Sequence, residues 1–115
     1  MLAPPPLPRT LEASIRDLDS AKPEIRASAI VDLLRHATAD EAIRERAIPL
    51  LQKRLDDEQS KVRAAAAVGL ADLSAKDAIP ALTETLDDRN DDVAAMARKA
   101  LIKITGEDPR PQGTE

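Results

Sequence analysis

The sequence predicts an all-α protein, a short right-handed α-solenoid of three helix pairs, and three observations lead there. The chain repeats itself: Ile48, Pro49, Leu50 and Leu51 open a segment that runs to Leu70, and 31 residues later Ile79, Pro80, Ala81 and Leu82 open another that runs to Leu101. At that offset Leu55 falls on Leu86, Asp56 on Asp87, Asp57 on Asp88, Val62 on Val93 and Leu73 on Ile104. A looser copy lies upstream at an offset of 37, where Leu18 and Asp19 match Leu55 and Asp56, and residues 25–29 match residues 62–66. Next, apolar residues recur at helical spacing, and no segment alternates like a half-buried strand. Finally, there are only 3 Gly and no Phe, Tyr or Trp, so Leu, Ile, Val and Ala must fill the core. Repeats of this period stack, each unit burying its apolar face against its neighbours.

The elements follow in order. Residues 1–9 carry Pro4, Pro5, Pro6 and Pro8 and read as an extended, Pro-rich arm. Pro5-Pro6-Leu7-Pro8 has the form of a WW-domain ligand, but so short a match arises easily by chance, and a stiff leader explains it as well. Thr10 is placed to cap a first helix over residues 11–19, with Leu11, Ile15 and Leu18 on one face. The second helix, over residues 23–37, has Pro23 in its first turn, where the missing N–H costs nothing. The third ends near Leu55, and the fourth covers residues 60–74. The fifth opens with Asp77 as N-cap and ends near Leu86; the sixth starts at Asn90 or Asp91 and reaches Thr105. Gly106 stops it, and residues 106–115 read as a disordered tail.

The units are then residues 10–37, 39–75 and 76–105, with one irregularity between the first two. Six extra residues sit there, and Thr38-Ala39-Asp40-Glu41 has the form of a capping box. Helix is expected to begin near Ala39 and to kink or restart around Pro49.

Composition narrows the function. The chain has 115 residues, enough for one domain, with 33% charged and 43% apolar residues and a net charge of −4. That charge disfavours general affinity for nucleic acid or an anionic membrane. There is no Cys, so neither a disulfide framework nor a thiolate metal site can form. The N-terminus has no basic start followed by an apolar run, and no run approaches the roughly 20 apolar residues that span a bilayer. A cytoplasmic location is the expectation. His36 is the only histidine, at the end of the second helix, where packing or capping explains it better than catalysis. No nucleophilic constellation can be assembled around it. The run Asp87-Asp88-Arg89-Asn90-Asp91-Asp92 offers carboxylates but lacks the glycine of a calcium loop, and Lys99 stands where its closing Glu would be. Helix capping accounts for it, so no catalytic, cofactor or metal residues are assigned.

The pattern Ala-Ile-Pro-x-Leu, Leu-Asp-Asp, Val-Arg-x-x-Ala-x-x-x-Leu resembles HEAT repeats, of the short type also found in phycobilisome lyases. It is carried by residues 47–73, again by residues 78–104, and partly by residues 18–33. The resemblance implies a ladder in which an Asp closing the first helix of a pair meets an Arg in the first turn of the second. Asp19/Arg26 and Asp56/Arg63 share that spacing of seven, but the third unit has Ala94 where Arg is expected. The ladder is expected to stop there, as in a complete three-unit array.

The same resemblance places the second helix of each pair on the concave face. Val62, Ala66, Leu70 and Leu73 share one side of the fourth helix and should point inward. The opposite side, carried across the units, gives rows of Ala27, Ala64 and Ala95; Val31, Val68 and Lys99; Leu34, Ala71 and Ile102; and a charged edge of Arg35, Asp72 and Lys103. A purely solvated face should be mostly charged, whereas this one is small and apolar in the middle. It suits an amphipathic helix or extended peptide of another protein, so a non-enzymatic adaptor or scaffold is expected. The alternative implied by the repeat type is an accessory subunit of a bilin lyase, which the absence of aromatic residues and the short chain oppose. Nucleic-acid binding is disfavoured on the same grounds: Arg98, Lys99 and Lys103 make one small basic cluster. An end-to-end homodimer is a further expectation if the last unit exposes apolar surface.

Overall fold

Six α-helices and no strand occupy the described residues, which in this computed structural model are 3–4 and 7–110. Part of the Pro5-Pro6-Leu7-Pro8 motif and residues 111–115 of the expected tail lie outside them. The helices are α1 (Leu11–Asp17), α2 (Pro23–Ala39), α3 (Glu41–Arg54), α4 (Ser60–Asp72), α5 (Ile79–Thr85) and α6 (Asp91–Thr105), with a 3-10 turn, Lys76–Ala78, leading into α5. They form three antiparallel pairs stacked into a body of 56 × 28 × 28 Å. Helices α2, α4 and α6 lie side by side in one row, and α1, α3 and α5 cover that row from the outer layer. Between the layers Ile30, Leu33, Leu51, Val62, Leu70 and Leu82 are fully buried. Gly69 lets α2 come close to α4, because a Cβ there would lie 3.2 Å from both Leu34 methyls and 3.3 Å from Leu51 Cδ1.

Local chemistry sets several helix ends. The Thr10 hydroxyl accepts from Ala13 N–H at 3.1 Å, and Asn90 Oδ1 accepts from Asp92 and Val93 N–H. Gly106 ends α6 in the left-handed region at φ 81°, where a side chain would be strained, and its N–H donates to Ile102 O at 2.8 Å.

Two expected starts are corrected. The expected capping box does not form: α2 runs on through Ala39, and the Thr38 hydroxyl sits inside that helix and donates to Arg35 O. Asp40 is the cap, accepting from Ala42 and Ile43 N–H, because its extended backbone leaves the carboxylate over the free amides of the next turn. From there α3 runs unbroken through Pro49. Pro49 and Glu45 are both exposed, so the carbonyl left without an N–H partner is on the solvent side. Asp77 does not cap α5; it lies within the 3-10 turn, and the cap position is Ala78.

The ladder exists, but its partners differ from the expected ones. Arg26 Nε and Nη2 donate to the two oxygens of Asp57, both at 2.8 Å, and Arg63 donates likewise to Asp88 at 2.9 and 3.1 Å. Each arginine thus reaches the second Asp of the following unit, not Asp19 or Asp56 behind it. The remaining Nη1 of each donates to loop carbonyls, Ser20 O for Arg26, Asp57 O and Glu58 O for Arg63. Asp57 and Asp88 are preset for the role, since each also accepts the N–H two residues on, from Gln59 and Asn90. Burial opposes ionisation of Asp57, but the hydrogen bonds from Arg26 and Gln59 outweigh it and hold its carboxyl below the usual range; Asp88 behaves the same way with Arg63 and Asn90. Asp19 instead meets Arg54 at 3.3 Å at the surface.

Candidate functional site

The helix row α2–α4–α6 presents one face to solvent. Among the described residues four large apolar side chains are exposed, and three lie on this face, one per helix: Val31 at 63%, Val68 at 42% and Ile102 at 38%. Around them Ala95 and Lys99 are exposed, while Ala27 and Ala64 are half-buried. Val62, Ala66 and Leu70, on the other side of α4, and Leu73 just past its end are buried against the outer layer. The helical period therefore separates the two sides of α4 as the sequence suggests.

The third row is corrected. Ala71 is buried and Leu34 half-buried, because both sit in the seams between neighbouring helices of the row; only Ile102, beyond the last seam, is open. The charged edge is partly satisfied within the chain. Arg35 pairs with Asp32 at 2.7 Å and Lys103 Nζ with Asp72 at 3.0 Å, all at least partly exposed. Such pairs contribute little to stability and can exchange for an incoming partner.

At its far end the face deepens into a cleft of about 420 Å³ along Asp91, Ala94, Ala95, Arg98, Lys99 and Ile102, with Arg110 on its rim. Four of these were not among the candidates read from sequence: Asp91, Ala94, Arg98 and Arg110. Asp91, Ala94, Ala95, Arg98 and Ile102 fall on one helical stripe, so spacing alone could have found the wall. The rim could not be found that way. Residues 107–110, expected to be disordered, fold back: Arg98 Nε donates to Asp108 Oδ1 at 2.9 Å, and Arg110 Nη2 donates to Leu86 O at 3.1 Å.

At the opposite end Arg9 fastens the N-terminal arm across α2. It donates to Asp17, Asp32 and the Ser28 hydroxyl at 2.8–2.9 Å. His36 Nε2 lies 2.9 Å from Arg9 O, a pure acceptor, so this nitrogen carries the proton and the ring holds the arm in place. No group of His, Asp or Glu among the described residues is arranged to hold a metal ion. No helix among them is long and apolar enough to cross a membrane.

Stacked helix pairs with an inner row and an outer layer define an α-solenoid, a class of repeat protein built around an extended surface. The HEAT-repeat family model matches residues 10–102, and the chain belongs to the HEAT-repeat family. HEAT repeats generally mediate protein–protein interactions and are typically non-catalytic. No curated protein matches the chain.

Proposed function

We propose that this protein is a non-catalytic adaptor that holds a helix or extended peptide of a partner protein across the α2–α4–α6 face. The observation that carries the reading is the exposure of Val31, Val68 and Ile102, one apolar side chain on each helix of the row, where a solvated face would carry charge. A ligand lying across the row would meet these side chains in turn, with Ala27, Ala64 and Ala95 allowing close approach and Arg35, Asp72, Lys99 and Lys103 setting orientation. A tetrapyrrole or an unstacked base would call for aromatic walls, and the chain has no Phe, Tyr or Trp.

The test is capture from the native lysate. Val68→Asp changes an exposed position, so stability should stay within about 0.5 kcal/mol of wild type. Proteins retained by the wild type should be lost from Val68→Asp and kept by Glu84→Lys, a change on exposed α5. Equal capture by Val68→Asp, at unchanged helicity and melting temperature, overturns the reading.

A further inference from the structure

The seams show what the end of the row lacks. In the first two units the stripe facing the next unit reads Arg26, Ile30, Leu34 and then Arg63, Ala67, Ala71: a ladder arginine followed by apolar residues. In the third unit the same stripe reads Ala94, Arg98, Ile102. The cation has moved one turn along α6, and the space that an arginine side chain would fill opens into the 420 Å³ cleft. The residues after Gly106 already occupy part of the place a following unit would take. Asp108 gives its carboxylate to Arg98, as Asp57 and Asp88 do to the ladder arginines. Arg110 donates to Leu86 O, the carbonyl equivalent to Leu18 O, which receives Arg54 of the following unit at 2.7 Å. A carboxylate from the segment after α6 is therefore accommodated at this cleft by the chain itself. It leaves Ala95, Lys99 and Ile102 exposed, and Lys99 has no ion-pair partner among the described residues.

We propose that the cleft on α6 receives an acidic, extended segment of the partner protein, with carboxylates on Lys99 and Arg98 and one apolar side chain against Ala95 and Ile102. Asp108 acts as the chain's own competitor for Arg98. This rests on the α2–α4–α6 face being the binding surface and names the chemistry of what binds at its end.

A second copy of the chain fits the same end poorly. Inside the array Leu34 packs at Gly69 and Asp72 pairs with Lys103 of the next unit. Carried one unit further, that register would set Asp32 of a second copy on Ile102 and its Arg35 on Lys103. A carboxylate would be desolvated on an apolar side chain, and like charges would oppose.

The experiment is fluorescence anisotropy with a short labelled peptide of Glu and Leu in a Gly-Ser background, beside its Gln-for-Glu counterpart. Wild type should bind the Glu peptide saturably, more weakly as salt rises. Lys99→Glu should weaken binding on the order of tenfold, and Asp108→Asn should strengthen it about fivefold by freeing Arg98. Glu84→Lys should change nothing. Absence of saturable binding, equal binding of the Gln peptide, indifference to Lys99→Glu or weakening by Asp108→Asn would each overturn the proposal. Displacement of the peptide by oligothymidylate would do so as well, by assigning the cleft to nucleic acid. Should this experiment fail while lysate capture still depends on Val68, the broader face stands and only the acidic chemistry falls.

Discussion

At the two seams an arginine grips a carboxylate of the next unit with both partners out of water: the Arg26, Asp57, Arg63 and Asp88 side chains are all 10% exposed or less. At the two ends arginines grip carboxylates as well, but Arg9 is 24% and Arg98 41% exposed. The neighbouring positions differ in the same sense. Ser28, Asp32 and His36, which meet the N-terminal arm, correspond to Ala65, Gly69 and Leu73 in the second unit and to Met96, Ala100 and Ile104 in the third. On the outer face of the first unit, positions that are apolar in the later units are polar. The seam pairs fix the register of one unit on the next, while the end pairs keep a terminal face hydrated and tied to its own chain. Polar outer faces of this kind are what a stacked array needs at its ends.

The sharpest way to break the contrast is to cut one pair of each kind. Asp57→Ala should cost about 3 kcal/mol, because it leaves a guanidinium buried without its counter-ion. Urea unfolding should show this as a lower midpoint, and a midpoint equal to wild type would remove the seam from the account. Acid offers the next largest effect. Asp57 and Asp88 titrate below the ordinary carboxylate range when folded, so the unfolded chain takes up their protons first as pH falls. Their contribution is complete above about pH 5 and is lost as pH drops through about 4 and below. Urea midpoints measured between neutral pH and pH 3 should fall along that course, and Asp57→Asn should flatten it; parallel curves for the two proteins would place the acid sensitivity elsewhere. Least should follow from Arg9→Ala or Asp108→Ala, whose pairs are partly hydrated. Melting should shift by roughly 2 °C or less, with faster amide exchange confined to the adjoining segment. A cooperative loss of the whole fold would mean that the ends are as structural as the seams.

Features that depend on a few neighbouring residues were legible in the chain. Thr10, Asn90 and Gly106 end helices where expected because capping joins groups two to four residues apart. The buried side of α4 followed from helical period alone. Capping failed where two local solutions competed. Thr38 and Asp40 could each have closed the gap between α2 and α3, and packing of α2 along the row extended it past Thr38. The ladder was legible as charges but not as partners, since Asp56 and Asp57 are adjacent in sequence and only Asp57 lies within reach of Arg26. Within the candidate face, Val31, Val68 and Ile102 could be read from spacing. Burial of Ala71 could not, because whether an alanine faces a groove or a seam depends on how closely two helices approach.

The sequence by itself determined the helical class, the three-unit repeat, the apolar stripe of each helix and the loss of the ladder arginine at Ala94. These depend on short-range spacing and side-chain type, which the chain carries explicitly. Tertiary structure decided which carboxylate each arginine reaches, which apolar residues of the row stay in water, and that Arg9, Asp108 and Arg110 close back on the ends. Those outcomes join residues 8 to 31 apart, brought within hydrogen-bond range by the stacking of helix pairs at the seams and by the end segments packing on their own unit.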